Sequence, residues 1–213
     1  IAVHYVSVKR DYQPRRPRRA TLREFGAEFL KSIWALFIPF GIIMGMRIGL
    51  FTDTYEPDIN GVVISIKTLK NALEDLGHTV YIVTSQPSIT QTSYENNILR
   101  LPGVELKFLY GYVMSSPLHM QAMGFIEEME LDVIHVHSEF GVGLFARYVS
   151  ANLRIPLIST YHTTYEDYTH YVNILGSKLM DQFSKKAVAR MSRSLSKSSQ
   201  IIIAPSEKTK LML

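Results

Sequence analysis

From Met46 onward the chain alternates short runs of β-branched and aliphatic residues with longer amphipathic stretches, and few folds accommodate that alternation. Arg47–Asp53 (RIGLFTD), Thr79–Thr84 (TVYIVT), Asn97–Leu101 (NILRL), Asp132–His137 (DVIHVH), Pro156–Thr160 (PLIST) and Gln200–Ala204 (QIIIA) are predicted strands. Helices are predicted over Gly61–Leu76, Pro117–Glu130, Val142–Asn152 and Tyr171–Lys197, and Ser206 caps one more. In the first of these, apolar residues fall at 62, 63, 66, 69, 73 and 76, and Gly77 follows as a helix stop. Strands this short and this apolar are buried on both sides. The expected class is therefore α/β, a parallel sheet with helices on both faces. Ligands of such sheets sit at the carboxyl ends of the strands, which is where functional residues are sought.

The first 45 residues differ in character. Residues 9–19 (KRDYQPRRPRR) are basic and broken by proline, and 21–31 can form a short helix with Thr21 and Glu24 at capping-box spacing. Fourteen residues without a charge follow, 33–46 (IWALFIPFGIIMGM). A bilayer span needs about 20 apolar residues, so this run reads either as a buried helix or as a shortened membrane segment. Residues 1–45 carry eight Lys/Arg and three Asp/Glu, whereas 46–213 carry fifteen and sixteen. The positive charge therefore belongs to the extension, and the main domain lacks the footprint of a nucleic-acid binder. With no cysteine, disulfide-stapled and thiolate–metal designs are excluded. The apolar share of 46% argues against disorder.

Three of the strand-end loops carry candidate chemistry. Asn60-Gly61 precedes the first helix, where free backbone N–H groups and the helix dipole suit a phosphate; the same residues also make an ordinary turn. His135-Val-His137-Ser-Glu139 closes a strand. Period two puts both histidines on one face, as a metal pair or as one polar and one packed ring; no third ligand has a fitting spacing, so no metal is expected. Glu139 can reach the cleft. Residues 160–171 (TYHTTYEDYTHY) concentrate polar and aromatic side chains just past a strand. His162 there can donate to a sugar hydroxyl or polarise a leaving group, and Tyr165 is one of four tyrosines offering flat faces and hydroxyls. Farther on, Lys178, Lys185, Lys186, Arg190, Arg193 and Lys197 share a helix with Leu179, Phe183, Met191 and Leu195. That is a basic amphipathic helix, suited to anionic lipid or to packing on the sheet with a solvated basic face.

Residues 46–213 resemble the N-terminal half of a GT-B fold glycosyltransferase of family 4, with a Rossmann-like sheet, and most of all the bacterial glucosyltransferases that build glycosyl diacylglycerols. The resemblance lies in Arg47–Asp53, Tyr55-Glu-Pro57, Asn60-Gly61-Val-Val63, Leu73–Val83, Asp132–His137, Ser138-Glu-Phe140, His162-Thr-Thr-Tyr-Glu166, His170-Tyr171 and Pro205-Ser206. It implies retaining transfer of a sugar, a hexose, from a nucleotide-sugar to a lipid acceptor such as diacylglycerol, at the cytoplasmic inner face of the membrane. It implies no cofactor and no nucleic-acid partner. It makes Asn60, Gly61 and Val62 the loop that approaches the donor phosphates, places His162 beside the reacting sugar as the catalytic candidate, and includes Glu139, Tyr165 and Ser206 among the substrate-binding residues. The family's donor-binding motifs would follow Leu213, so the chain is expected not to catalyse transfer alone. Residues 1–45 resemble instead a loop and helix of the large permease subunit of TRAP-type dicarboxylate transporters, through the basic loop and WALFIPFGIIMG. A transporter fragment and a non-catalytic α/β binding module are the competing readings. The extension is expected to be dispensable for folding.

Overall fold

The structure is a computed structural model that describes residues 6–8, 45–106, 112–162, 198–204 and 209. Its strands are β1 (Val6–Val8), β2 (Arg47–Phe51), β3 (Thr79–Pro87), β4 (Ser93–Glu95), β5 (Ile98–Leu106), β6 (Tyr112–Ser115), β7 (Val133–Val136), β8 (Leu157–Thr160) and β9 (Ile201–Ala204). The helices are α1 (Gly61–Asp75), α2 (Met120–Met129) and α3 (Gly141–Leu153). All nine strands join one sheet in the order β1-β9-β8-β7-β2-β3-β5-β4, with β6 also on β5. The pairs from β9 through β5 are parallel. Taken in chain order, those six strands run 3-2-1-4-5-6 across the sheet, the arrangement of dinucleotide-type folds. The expected Rossmann-like α/β class is what the chain forms.

Three antiparallel strands lie outside the predicted pattern. β4 and β6 flank β5, and β1, from the N-terminal extension, pairs with β9 in the register Val6–Ala204 to Val8–Ile202. β3 and β5 also run longer than their apolar cores, because β3 goes on pairing with β5 as far as Pro87–Gly103. Pairing partners, not local composition, set those lengths.

Two apolar layers cover the two faces. Alternation along β2 sends Ile48 and Leu50 one way and Phe51 the other. Ile48 and Leu50 pack with Ile66, Leu69 and Leu73 of α1. Phe51 packs with Ile126 of α2 and Phe145 of α3, its ring centroid 6.4 Å from that of Phe145. Truncating one such fully buried side chain to alanine costs roughly 2–5 kcal/mol. Helix α1 ends as expected at Gly77, whose φ of +85° suits glycine; Gly77 donates to the Glu74 carbonyl and His78 to the Leu73 carbonyl.

Candidate active-site crevice

The chain order reverses at β2, which has β3 on one side and β7 on the other. The loops leaving β2, β7 and β8 therefore open at one edge of the sheet, beside a topological switch point. The Asn60-Gly61 turn follows β2 and His162 follows β8, so both stand at that edge.

The β2–α1 loop is held by its own polar side chains. Thr52 Oγ1 donates to the Thr54 carbonyl (2.9 Å), Thr54 Oγ1 to Asp58 Oδ2 (2.8 Å), and Asn60 Nδ2 to Thr54 Oγ1 (3.0 Å). Asn60 Oδ1 accepts the Val63 N–H at 3.0 Å, so its side chain is the N-cap of α1. The Gly61 and Val62 N–H groups lie in the first turn, where a helix offers no internal acceptor. Gly61 is exposed, and no described atom lies within 4 Å of where a Cβ would stand.

Asp53 is the residue that sequence reasoning passed over. Its side chain is buried where β2, β6 and α3 meet. Oδ1 accepts the Val142 N–H at 2.7 Å, and Oδ2 accepts the Tyr112 hydroxyl at 2.5 Å. The Ser85 hydroxyl donates to the Asp53 carbonyl at 2.7 Å. These bonds and the α3 N-terminus favour the carboxylate, but burial outweighs them and raises its pKa to about 6. The Tyr112 hydroxyl is pushed well above its ordinary value, first by burial and then by the Asp53 charge. Gly141 sits against this carboxylate with φ +38°, and a Cβ there would lie 2.5 Å from Asp53 Oδ1. At Gly143 a Cβ would lie 1.9 Å from the Ser138 carbonyl oxygen. Two glycines thus let the β7–α3 loop fold tightly over Asp53. The signal available in the sequence was the place of Asp53 directly after a strand.

Three histidines meet at the ends of β7 and β8. His135 and His137 do share a face, with ring centroids 4.0 Å apart. His135 Nε2 lies 2.7 Å from Thr160 Oγ1. His137 Nδ1 lies 2.8 Å from His162 Nε2, and those two rings stack at 5.1 Å. Burial lowers all three pKa values, His135 to about 3, His162 to about 4, and His137 well below its ordinary value. The trio is uncharged at neutral pH. Among the described residues no group of His, Cys, Asp or Glu side chains is arranged to hold a metal ion.

Glu139 is 6% exposed, and its charge acts on Arg147 and Tyr112 within the fold. Tyr165, Ser206, Lys178, Lys185, Lys186, Arg190, Arg193 and Lys197 lie outside the described residues. Among the described residues no helix is long and apolar enough to cross a membrane.

Neutral imidazoles and open helix-terminal N–H groups suit a polyhydroxylated ligand carrying phosphate. The profile of Glycosyltransferase Family 4 matches residues 59–213. The chain is 36% identical over 167 residues to an alpha-monoglucosyldiacylglycerol synthase of Acholeplasma laidlawii, covering 76% of this chain and 41% of that protein. It is 41% identical over 127 residues to the alpha-monoglucosyldiacylglycerol synthase of Streptococcus pneumoniae, covering 60% and 29%. A GDP-mannose-dependent alpha-mannosyltransferase of Corynebacterium glutamicum is 26% identical over 126 residues, covering 57% and 30%. The chain thus spans less than half the length of each of these relatives. None of these matches bears out the likeness of the first 45 residues to a transporter permease. By its profile match, its sheet order and its relatives, the chain belongs to glycosyltransferase family 4.

Proposed function

We propose that this chain forms the acceptor-side, Rossmann-like lobe of a retaining glycosyltransferase. Its enzyme moves a hexose from a nucleotide-sugar to the hydroxyl of a membrane lipid such as diacylglycerol. The supporting observation is one juxtaposition: uncharged His162 and the open N-terminus of α1 stand at the same strand edge. A neutral imidazole can hydrogen-bond a sugar oxygen without attracting a counter-ion, and the Gly61 and Val62 N–H groups suit a diphosphate. The names of two relatives, both alpha-monoglucosyldiacylglycerol synthases, support this choice of acceptor and sugar. In this reading the protein works at the inner face of the cell membrane, held peripherally through Lys178, Lys185, Lys186, Arg190, Arg193 and Lys197. It needs no cofactor and no nucleic acid.

Two binding measurements on the chain test the two halves of this reading. In flotation with phosphatidylglycerol vesicles, adding diacylglycerol at constant charge is expected to raise the bound fraction. Titration of the ¹⁵N-labelled chain with UDP-glucose or GDP-mannose is expected to move the Gly61 and His162 signals. Binding indifferent to diacylglycerol removes the proposed acceptor, and unmoved signals at millimolar nucleotide-sugar remove Gly61 and His162 from the donor's contacts.

A further inference from the structure

We propose that His137 is a positioning residue that holds His162 in the tautomer with its proton on Nδ1, so that His162 meets its ligand as a hydrogen-bond donor. The inference rests on the reading of His162 as a sugar-facing residue.

The contact between the two rings already decides which nitrogen is available. His162 Nε2 lies 2.8 Å from His137 Nδ1, so Nε2 is engaged inside the protein. That leaves Nδ1 of His162 as the nitrogen for a ligand. A neutral imidazole has one donor and one acceptor nitrogen, so the pair has two proton arrangements. In the first, His137 Nδ1–H donates to His162 Nε2, and His162 carries its own proton on Nδ1. In the second, His162 Nε2–H donates to His137 Nδ1, which places the remaining proton of His137 on its Nε2.

The far side of His137 separates them. His137 Nε2 is buried and has no hydrogen-bond partner among the described residues. The second arrangement would leave an N–H there with nothing to donate to; the first leaves a lone pair. Buried orphan N–H groups are rarer and more costly than under-used acceptors. The first arrangement is therefore the stable one, although an isolated neutral histidine prefers its proton on Nε2.

The scaffold keeps His137 from turning to escape this choice. Its backbone N–H donates to the Phe51 carbonyl of β2 at 2.8 Å, and its ring lies against His135, which is itself tied to Thr160. Nδ1 of His162 is then a fixed donor. It selects an acceptor on the ligand, a hydroxyl or phosphate oxygen of the nucleotide-sugar, and offers nothing to an N–H or an ammonium group.

Two-bond ¹H–¹⁵N correlations on the histidine-labelled chain read each ring's tautomer directly. Wild-type His162 is expected as the Nδ1–H form. His137→Asn, whose amide N–H can replace Nδ1–H, is expected to keep that form. His137→Asp, whose carboxylate can only accept, is expected to put a proton on His162 Nε2 at pH 8. Wild-type His162 in the Nε2–H form overturns the proposal, and needs no variant to fold; so does a His162 Nε2 still unprotonated in His137→Asp. Because the tautomer is read without ligand, its failure counts against His137 whatever the chain transfers. Adding UDP-glucose or GDP-mannose afterwards tests the sugar-transfer reading by itself, through the His162 Nδ1 shift.

Discussion

The Asp53 carboxylate accepts the backbone N–H of Val142 at 2.7 Å across 89 residues of chain, so the loop after β2 and the start of α3 are one structure. The bond joins the two sides of the switch point. It also places an acid with a pKa near 6 inside the protein, and that has a consequence for stability.

Asp53 binds its proton more tightly folded, at about 6, than unfolded, near 3.8. Its contribution to stability is thus fully present below pH 3.8 and is lost as pH rises through 6. The difference corresponds to about 3 kcal/mol at neutral pH. Asp53→Asn keeps an acceptor for Val142 and does not titrate. Relative to wild type, it is expected to gain about 2.5 kcal/mol in urea unfolding between pH 4 and pH 7.5. A stability difference that stays constant over that range refutes the assignment.

The histidines act in the opposite direction. His162 is held down to about 4 and His135 to about 3, below the ordinary 6.5. The unfolded chain takes up protons below pH 6.5 that the folded one refuses, so their contribution is full above 6.5 and falls as pH drops toward 4. Each can cost up to about 1.4 kcal/mol per pH unit in that window. In Asp53→Asn, where the opposing carboxyl is gone, unfolding midpoints should fall steadily from pH 6.5 to 4.5. Adding His162→Gln should reduce the slope by about one proton.

Gly141 and Gly61 both open helices, and the two sites predict different outcomes. Gly141→Ala places a Cβ against Asp53 Oδ1 at a φ of +38°. It is expected to lower stability by about 1–3 kcal/mol in denaturant unfolding. Gly61→Ala meets no described atom and should stay within about 0.5 kcal/mol of wild type. Equal losses at the two sites would show that the crevice wall does not depend on Gly141.

If the basic stretch 178–197 holds the protein on anionic lipid, flotation with phosphatidylglycerol vesicles should weaken steeply with salt. Lys185→Glu with Lys186→Glu should reduce it several-fold at low salt. Salt-insensitive insertion would point to the apolar run 33–46 instead.

The α/β class, the elements of the central sheet and the place to look for a site were legible before any coordinates. Buried parallel strands such as 48–51 are continuous apolar runs, and α1 carries its periodicity, its cap and its stop in local sequence. The strands β4 and β6 escaped notice because their partner on β5 decides them. Strand β1 was equally hidden, since Val6–Val8 pairs with residues almost two hundred positions away. His162 was found from its place after a strand and from family likeness. Its contact with His137 was not, and neither was the burial of Asp53.

Local chemistry by itself determined where the six parallel strands and the three described helices lie, because periodicity, caps and breakers act over a few residues. It also determined that the loops after β2, β7 and β8 carry the chemistry, since strand-end placement follows from the class. Only the tertiary structure decided what those loops do together. The protonation of Asp53 depends first on its burial and then on Tyr112 and Val142, and the available nitrogen of His162 depends on His137. Burial and hydrogen-bond partners belong to the packed interior, where residues distant in the chain exclude water from one another, and no window of sequence contains them.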